Sequence, residues 1–167
     1  MLLVTSKALS SSTSIPEFEL QIFDQDSCDG AFLIGPITPG VGKRLLGSTL
    51  NGATVDTQAP SCGSASSPTV PGVWYTIIGD GGAITASTCT GTDFDSQLSV
   101  FTGSSCGQLT CVDGNNDACS SQSRVEFQSN QDQIYYLLVH GFGGAYGNFA
   151  LSIATRLTPL FELFVDY

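Results

Sequence analysis

Apolar residues in this chain occur in short runs broken by Gly, Pro, Asn, Asp and Ser, and within most runs they alternate with polar residues. A period of two belongs to strands, whose successive side chains point to opposite faces, and not to helices. The clearest run, Val73-Trp74-Tyr75-Thr76-Ile77-Ile78, is rich in β-branched and aromatic residues and lies between Pro71-Gly72 and Gly79-Asp80-Gly81-Gly82. Beyond that turn, Ile84, Ala86 and Thr88 share one face of a second run, 83–89, and the two runs are expected to form a hairpin. Leu98 and Val100 alternate with Ser99 and Phe101, Val125 and Phe127 with Glu126 and Gln128, and Phe149, Leu151 and Ile153 with Ala150 and Ser152. Each reads as a half-buried strand. Ile134-Tyr135-Tyr136-Leu137-Leu138-Val139 is apolar on both faces, which predicts a central strand covered by a second sheet on one side and by loops or aromatics on the other.

Turn clusters recur at the roughly 8–12-residue spacing of a sandwich or barrel, and no stretch carries a helical period. The expected architecture is all-β: an antiparallel β-sandwich, jelly-roll-like, with Trp74, Ile77, Leu98, Val100, Phe127, Leu137, Val139 and Leu151 in its core. At 167 residues the chain suits one domain, placed at 28–154. The Ser-rich start, 1–27, reads as a linker or tail, and the apolar, proline-broken end, 155–167, as a second tail. Neither approaches the ~20 apolar residues of a membrane-spanning helix.

Charge then narrows the partners. Fifteen Asp and Glu against five Lys and Arg give a net charge of -10, which repels a phosphate backbone and speaks against nucleic acid. It equally disfavours an anionic membrane surface. Six cysteines, at 28, 62, 89, 106, 111 and 119, are even in number and lack the paired knuckle spacing of a structural zinc site, so disulfides and a secreted, extracellular location are expected. The spacing leaves the pairing open; the local scheme Cys28 with Cys62, Cys89 with Cys106 and Cys111 with Cys119 is the expectation tested below. Met1-Leu2-Leu3-Val4 is followed at once by Thr5, Ser6 and Lys7, without the apolar run of a secretory leader, which leaves three readings open: a fragment of a longer secreted protein, a clipped start, or cysteines that do not report the compartment.

Taken in order, Gly72-Val73-Trp74-Tyr75, Thr85-Ala86-Ser87-Thr88-Cys89, Phe94-Asp95-Ser96-Gln97-Leu98-Ser99-Val100-Phe101, Asn116-Asp117-Ala118-Cys119, Tyr135-Tyr136-Leu137-Leu138-Val139 and Gly147-Asn148-Phe149-Ala150-Leu151 resemble the pre-peptidase C-terminal (PPC) type of domain. The resemblance covers about Cys28 to Ile153 and rests on the order of the motifs together. It implies a non-catalytic β-sandwich attached to secreted peptidases and other extracellular proteins, aiding substrate or surface binding, with calcium bound in some members.

Candidate chemistry agrees with a binding role. A Ser-His-Asp or Cys-His site needs an imidazole, and the sole histidine, His140, ends an apolar strand beside glycines, the setting of a structural or surface residue. Of four glutamates only Glu126 lies within the strands, which gives a secreted glycosidase-like hydrolase, the alternative reading, no second acid to pair with it. Two sites of another kind stand out. Phe142 and Tyr146, in a Gly-rich turn, are the exposed aromatics expected to stack on a polysaccharide or protein ligand. Asp113, Asn115 and Asp117 place oxygens at alternate positions around Gly114, as a calcium loop begins, although position twelve falls on Arg124 and not on Glu. The remaining ligands are expected from carbonyls, water or the pair Asp93 and Asp95, and a Cys111–Cys119 bridge would organise the loop. The partners expected are therefore an extracellular protein or polysaccharide, or a catalytic domain covalently linked in the precursor.

Overall fold

The computed structural model describes residues 25–50 and 53–156, and within them the alternating runs form nine strands in two facing sheets. These are β1 (Phe32–Ile34), β2 (Lys43–Ser48), β3 (Val73–Ile78), β4 (Ala83–Ser87), β5 (Ser96–Thr102), β6 (Thr110–Asn116), β7 (Arg124–Gln128), β8 (Ile134–Gly141) and β9 (Asn148–Arg156). The first sheet has the order β1-β3-β8-β5-β6 and the second β2-β9-β4-β7. Every pairing is antiparallel except that of the short edge strand β1 with β3. This is the disulfide-stapled β-sandwich that the period of two predicts. The expected tails, 1–27 and 155–167, lie largely outside the described residues.

One apolar face of each sheet fills the space between them. Tyr75, Ile77, Leu98, Val100, Leu137 and Val139 from the first sheet meet Ile84, Ala86, Val125, Phe127, Leu151 and Ile153 from the second. Tyr75 packs edge-on against Phe149, with ring centroids 6.3 Å apart, and its buried hydroxyl, pushed up in pKa by desolvation, has no hydrogen-bond partner. The first sheet carries a second apolar layer on its outer face, where Trp74, Phe101 and Leu138 lie under Cys28, Ala59 and Cys62. All eight residues expected in the core are buried, Trp74 in this outer layer and not between the sheets.

That outer layer changes the reading of β5. Its Leu98-to-Phe101 stretch was expected to be half-buried, yet every residue from Ser96 to Phe101 is buried, because Ser99 and Phe101 face the covering chain instead of water. The covering chain approaches closely. A Cβ on Gly114 would strike the Cys62 carbonyl, and one on Gly63, at φ 57°, would strike Gly114 in turn. Ser64 N donates to the Gly114 carbonyl at 3.0 Å and Asn116 N to Ser64 Oγ at 3.0 Å.

Two further expectations are corrected. The runs at β3 and β4 are not a hairpin: they lie in different sheets, and residues 79–82 cross between them, so that β4 pairs with β7 and β9 instead. Ile77 and Ile84 belong to the same core from opposite sides, and alternation alone does not distinguish a strand beside from a strand across. The six cysteines are all bridged, but as Cys28–Cys106, Cys62–Cys111 and Cys89–Cys119. None of the local pairs forms. The bridges join Cα atoms 5.3 to 5.8 Å apart, a proximity created by sheet packing and not by closeness in sequence.

Candidate functional site

Strand register carries four connections to one end of the sandwich. Ser48 pairs with Asn148, Ser87 with Arg124, Ser96 with Gly141 and Gln97 with Asn116, which brings residues 49–50, 88–95, 117–123 and 142–147 together. The end is held from beneath by buried hydroxyls. Thr88 Oγ1 lies 2.8 Å from Ser96 Oγ and accepts from Ser123 N at 3.0 Å, while Ser123 Oγ lies 2.6 and 2.7 Å from the carbonyls of Ser96 and Asn115. Cys89–Cys119 closes it from the side, joining the β4–β5 and β6–β7 connections, both of which cross between the sheets.

The aromatic turn emerges from this base. Phe142 N donates to the Asp95 carbonyl at 2.9 Å and Ala145 N to the Phe142 carbonyl at 2.9 Å. Gly147 exchanges hydrogen bonds with Thr49, whose backbone N donates to the Gly147 carbonyl at 2.9 Å. Gly143 and Gly144 take φ of 57° and 96° at the tip, with open space around them, a backbone that side chains rarely adopt. Clamped at both feet, the turn leaves Phe142 47% and Tyr146 61% exposed, as the glycine context predicts.

The four aspartates named from the sequence separate by role. Asp93 is used structurally: its Oδ1 accepts from Asn148 N at 2.8 Å and its Oδ2 from Asn148 Nδ2 at 3.2 Å, fixing the start of β9. Asp95 has a buried Oδ1 without a partner, and its carboxyl is raised above the usual range by desolvation and then by the charge of Asp117. Asp117, at φ 73°, is exposed and accepts from Asn116 Nδ2 at 2.9 Å, while Asn116 Oδ1 is buried without a partner. Asp113 lies apart, its Oδ1 accepting from Gly114 N at 2.8 Å.

The expected calcium loop is thus not a loop over most of its length. Asp113 to Asn116 belong to β6, opposite Val100, Ser99, Leu98 and Gln97, and only Asp117 turns away. Asn115 Oδ1 is committed to Ala118 N at 2.9 Å and Arg124 N at 3.2 Å. Cys111 and Cys119 bridge elsewhere, so they do not frame it. Among the described residues no three His, Cys, Asp or Glu side chains converge as metal ligands. Asp95 and Asp117 are near enough for the Asp117 charge to raise the Asp95 carboxyl, and Asn116 reaches Asp117 through its Nδ2. Asn116 and Asn148 stand in the sequence only as parts of motifs and Ser123 in none, because their roles come from pairings with residues far away in the chain, Asn116 with Gln97, Asn148 with Asp93 and Ser123 with Ser96.

His140 and Glu126 do not join this end. His140 is fully buried opposite Gln97, its Nδ1 donating to the Gly141 carbonyl at 3.3 Å, and burial drives its pKa down to about 4 against the small upward pull of that bond. Glu126 pairs with Arg124 at 3.2 Å on the outside of the second sheet. No helix of the described residues is long and apolar enough to cross a membrane.

No protein-family model matches the chain, and no curated protein matches it in sequence. Among solved structures, the chain is similar to the periplasmic lysozyme inhibitor of g-type lysozyme PliG from Aeromonas hydrophila, at a TM-score of 0.48 and 14% identity over 75% of this chain and 96% of that one.

Proposed function

We propose that this chain is a non-catalytic accessory domain of the PPC type that works outside the cell and binds a polysaccharide or protein surface through its loop end. The observation that carries the reading is the placement of two exposed aromatics, Phe142 and Tyr146, on a turn clamped to the sandwich beside Asp95 and Asp117. A rigid turn holds its aromatic faces out before the ligand arrives, so little ordering entropy opposes binding. Three disulfides support an oxidising compartment. In a longer precursor, the same surface would hold a linked catalytic domain on its substrate.

Calcium is the cofactor proposed for this end. Two buried acceptors lacking donors, Asp95 Oδ1 and Asn116 Oδ1, together with the Asp117 carboxylate, are the oxygens that fit a hard cation. With so few charged ligands its affinity would be on the order of 10⁻⁴–10⁻³ M, effective at extracellular concentrations.

Depletion binding on insoluble chitin, cellulose and fibrous protein, with and without several millimolar calcium, tests the reading. Phe142→Ala and Tyr146→Ala are expected to weaken retention about fivefold each without altering the melt, in line with stacking contributions of roughly 1 kcal/mol. Retention by both variants equal to that of the parent chain would overturn the site.

A further inference from the structure

Positive charge in this acidic chain is confined to one sheet. Lys43 and Arg44 on β2, Arg124 on β7 and Arg156 on β9 are the lysines and arginines of the described residues, and all four stand on strands of the second sheet, whose only acidic residue is Glu126. Arg44, Ser152, Ser87 and Arg124 are register partners in a single row across that sheet. Their neighbours Leu45, Ile153, Ala86 and Val125 belong to the core, so the row lies on the outer face. The two arginines stand on opposite edge strands, about 14 Å apart at the usual strand spacing, with short side chains between them. Over β2, β9 and β4 this leaves a trough of about 460 Å³, lined by Val41, Lys43, Arg44, Thr85, Ser87 and Ser152 among others.

We propose that this face binds an acidic polysaccharide, a polyuronate, whose carboxylates meet Lys43 and Arg44 at one margin and Arg124 at the other. Charge complementarity carries the assignment. Among the described residues only Arg124 has an ion-pair partner, Glu126 at 3.2 Å, and that pair is half-exposed, a setting in which an ion pair contributes little and gives way to a better acceptor. Arg44 donates through Nη2 to the Thr90 carbonyl at 3.3 Å, which steadies the guanidinium and leaves its other donors for a carboxylate fork. The net charge of -10 does not cancel this face, because the other described acids lie off its strands and exposed charges more than about 8 Å away are largely screened at physiological ionic strength. The lining holds no aromatic ring on which a neutral sugar would stack, and its floor of Thr85, Ser87, Ser152 and Ala154 offers hydroxyl and methyl groups, not a pocket for the large anchor of a protein partner. A polyuronate carries a carboxylate on every ring, so it presents one to each margin in any register. This surface is separate from the Phe142 and Tyr146 turn and needs no calcium.

Titrating the full chain with polygalacturonate in the presence of a chelator tests this, with the methyl-esterified polymer, heparin and polyglutamate as comparison ligands. The chelator silences any calcium-dependent binding at the loop end, and the ester keeps the sugar backbone while removing its charge. The expected result is saturable binding of polygalacturonate that weakens as salt is raised, and none of the ester. Arg44→Gln and Arg124→Gln should each weaken it about fivefold, and together about twentyfold, with unchanged melts. Gln108→Glu, an exposed change of the same charge between β5 and β6 of the first sheet, should keep the parent affinity. Failure to bind polygalacturonate, equal binding of the ester, tighter binding of heparin or polyglutamate, parent affinity in the double variant, or an equal loss in Gln108→Glu would each overturn the proposal. None of these bears on the loop end, which is read from the Phe142 and Tyr146 variants.

Discussion

His140 shows how much a single buried side chain sets the conditions under which the sandwich is stable. In the folded chain it loses its proton at about 4, and in the unfolded chain near the ordinary 6.5, because burial penalises the imidazolium. Between these values the unfolded state binds the extra proton, so stability is complete above the higher value and falls as the pH falls toward the lower. The full difference is about 3 kcal/mol. Urea unfolding at several pH values should show this loss in the parent chain and a flatter profile in His140→Gln. Asp95 works in the other direction. Its carboxyl is raised by desolvation and by Asp117, so its charge at neutral pH opposes folding, and Asp95→Asn is expected to raise the melting temperature at pH 7 in chelator. The same substitution should abolish any calcium-dependent rise in melting temperature, a pair of opposite outcomes read from two melts of one variant.

Strands, and the chain that covers them, are the next scale. β5 and β8 lie side by side near the middle of the first sheet, and the inner face of β5 presents Leu98 and Val100 to the core while Phe101 joins Trp74 on the outside, ring centroids 5.9 Å apart. Leu98→Ala is expected to cost about 2–5 kcal/mol, read by denaturant unfolding, because a rigid two-sided environment collapses little around the cavity. The cover over β6 depends on two glycines in contact. Gly114→Ala forces a methyl group against the Cys62 carbonyl and should cost about 1–3 kcal/mol and speed hydrogen exchange in residues 62–66, with the loop-end residues unaffected. Alternation correctly marked β4, β7 and β9 as strands, but not the two-sided burial of β5. A polar residue such as Ser99 reads as solvent-facing until a loop from elsewhere lies over it.

For the molecule as a whole, the disulfides link layers and not neighbours. Cys28–Cys106, Cys62–Cys111 and Cys89–Cys119 close sequence separations of 78, 49 and 30 residues. Replacing each pair by serine should cost roughly 2–5 kcal/mol, with the loss following that order if restriction of the unfolded chain dominates. Peptide mapping of the unreduced protein should recover these pairs; a Cys111–Cys119 peptide would contradict the arrangement. Cys89–Cys119 has a second consequence, since it spans the proposed binding end: its removal is expected to loosen residues 117–122 and weaken ligand retention more than its effect on the melt.

The sequence by itself determined that the chain forms strands, that they build an all-β sandwich with a buried core of named residues, that the cysteines are bridged, and that the Phe142 and Tyr146 turn faces solvent. Each of these follows from a local property: a period of two, glycine at positions where other residues are strained, an even cysteine count. The tertiary structure alone decided which strands are neighbours, that β3 and β4 sit in opposite sheets, which cysteines meet, and that Asp95 feels the charge of Asp117 while Asp113 and Asn115 are spent on backbone hydrogen bonds. Those outcomes depend on pairings between residues far apart in the chain, and an alternating pattern fixes the face a side chain occupies without fixing the strand that lies opposite it.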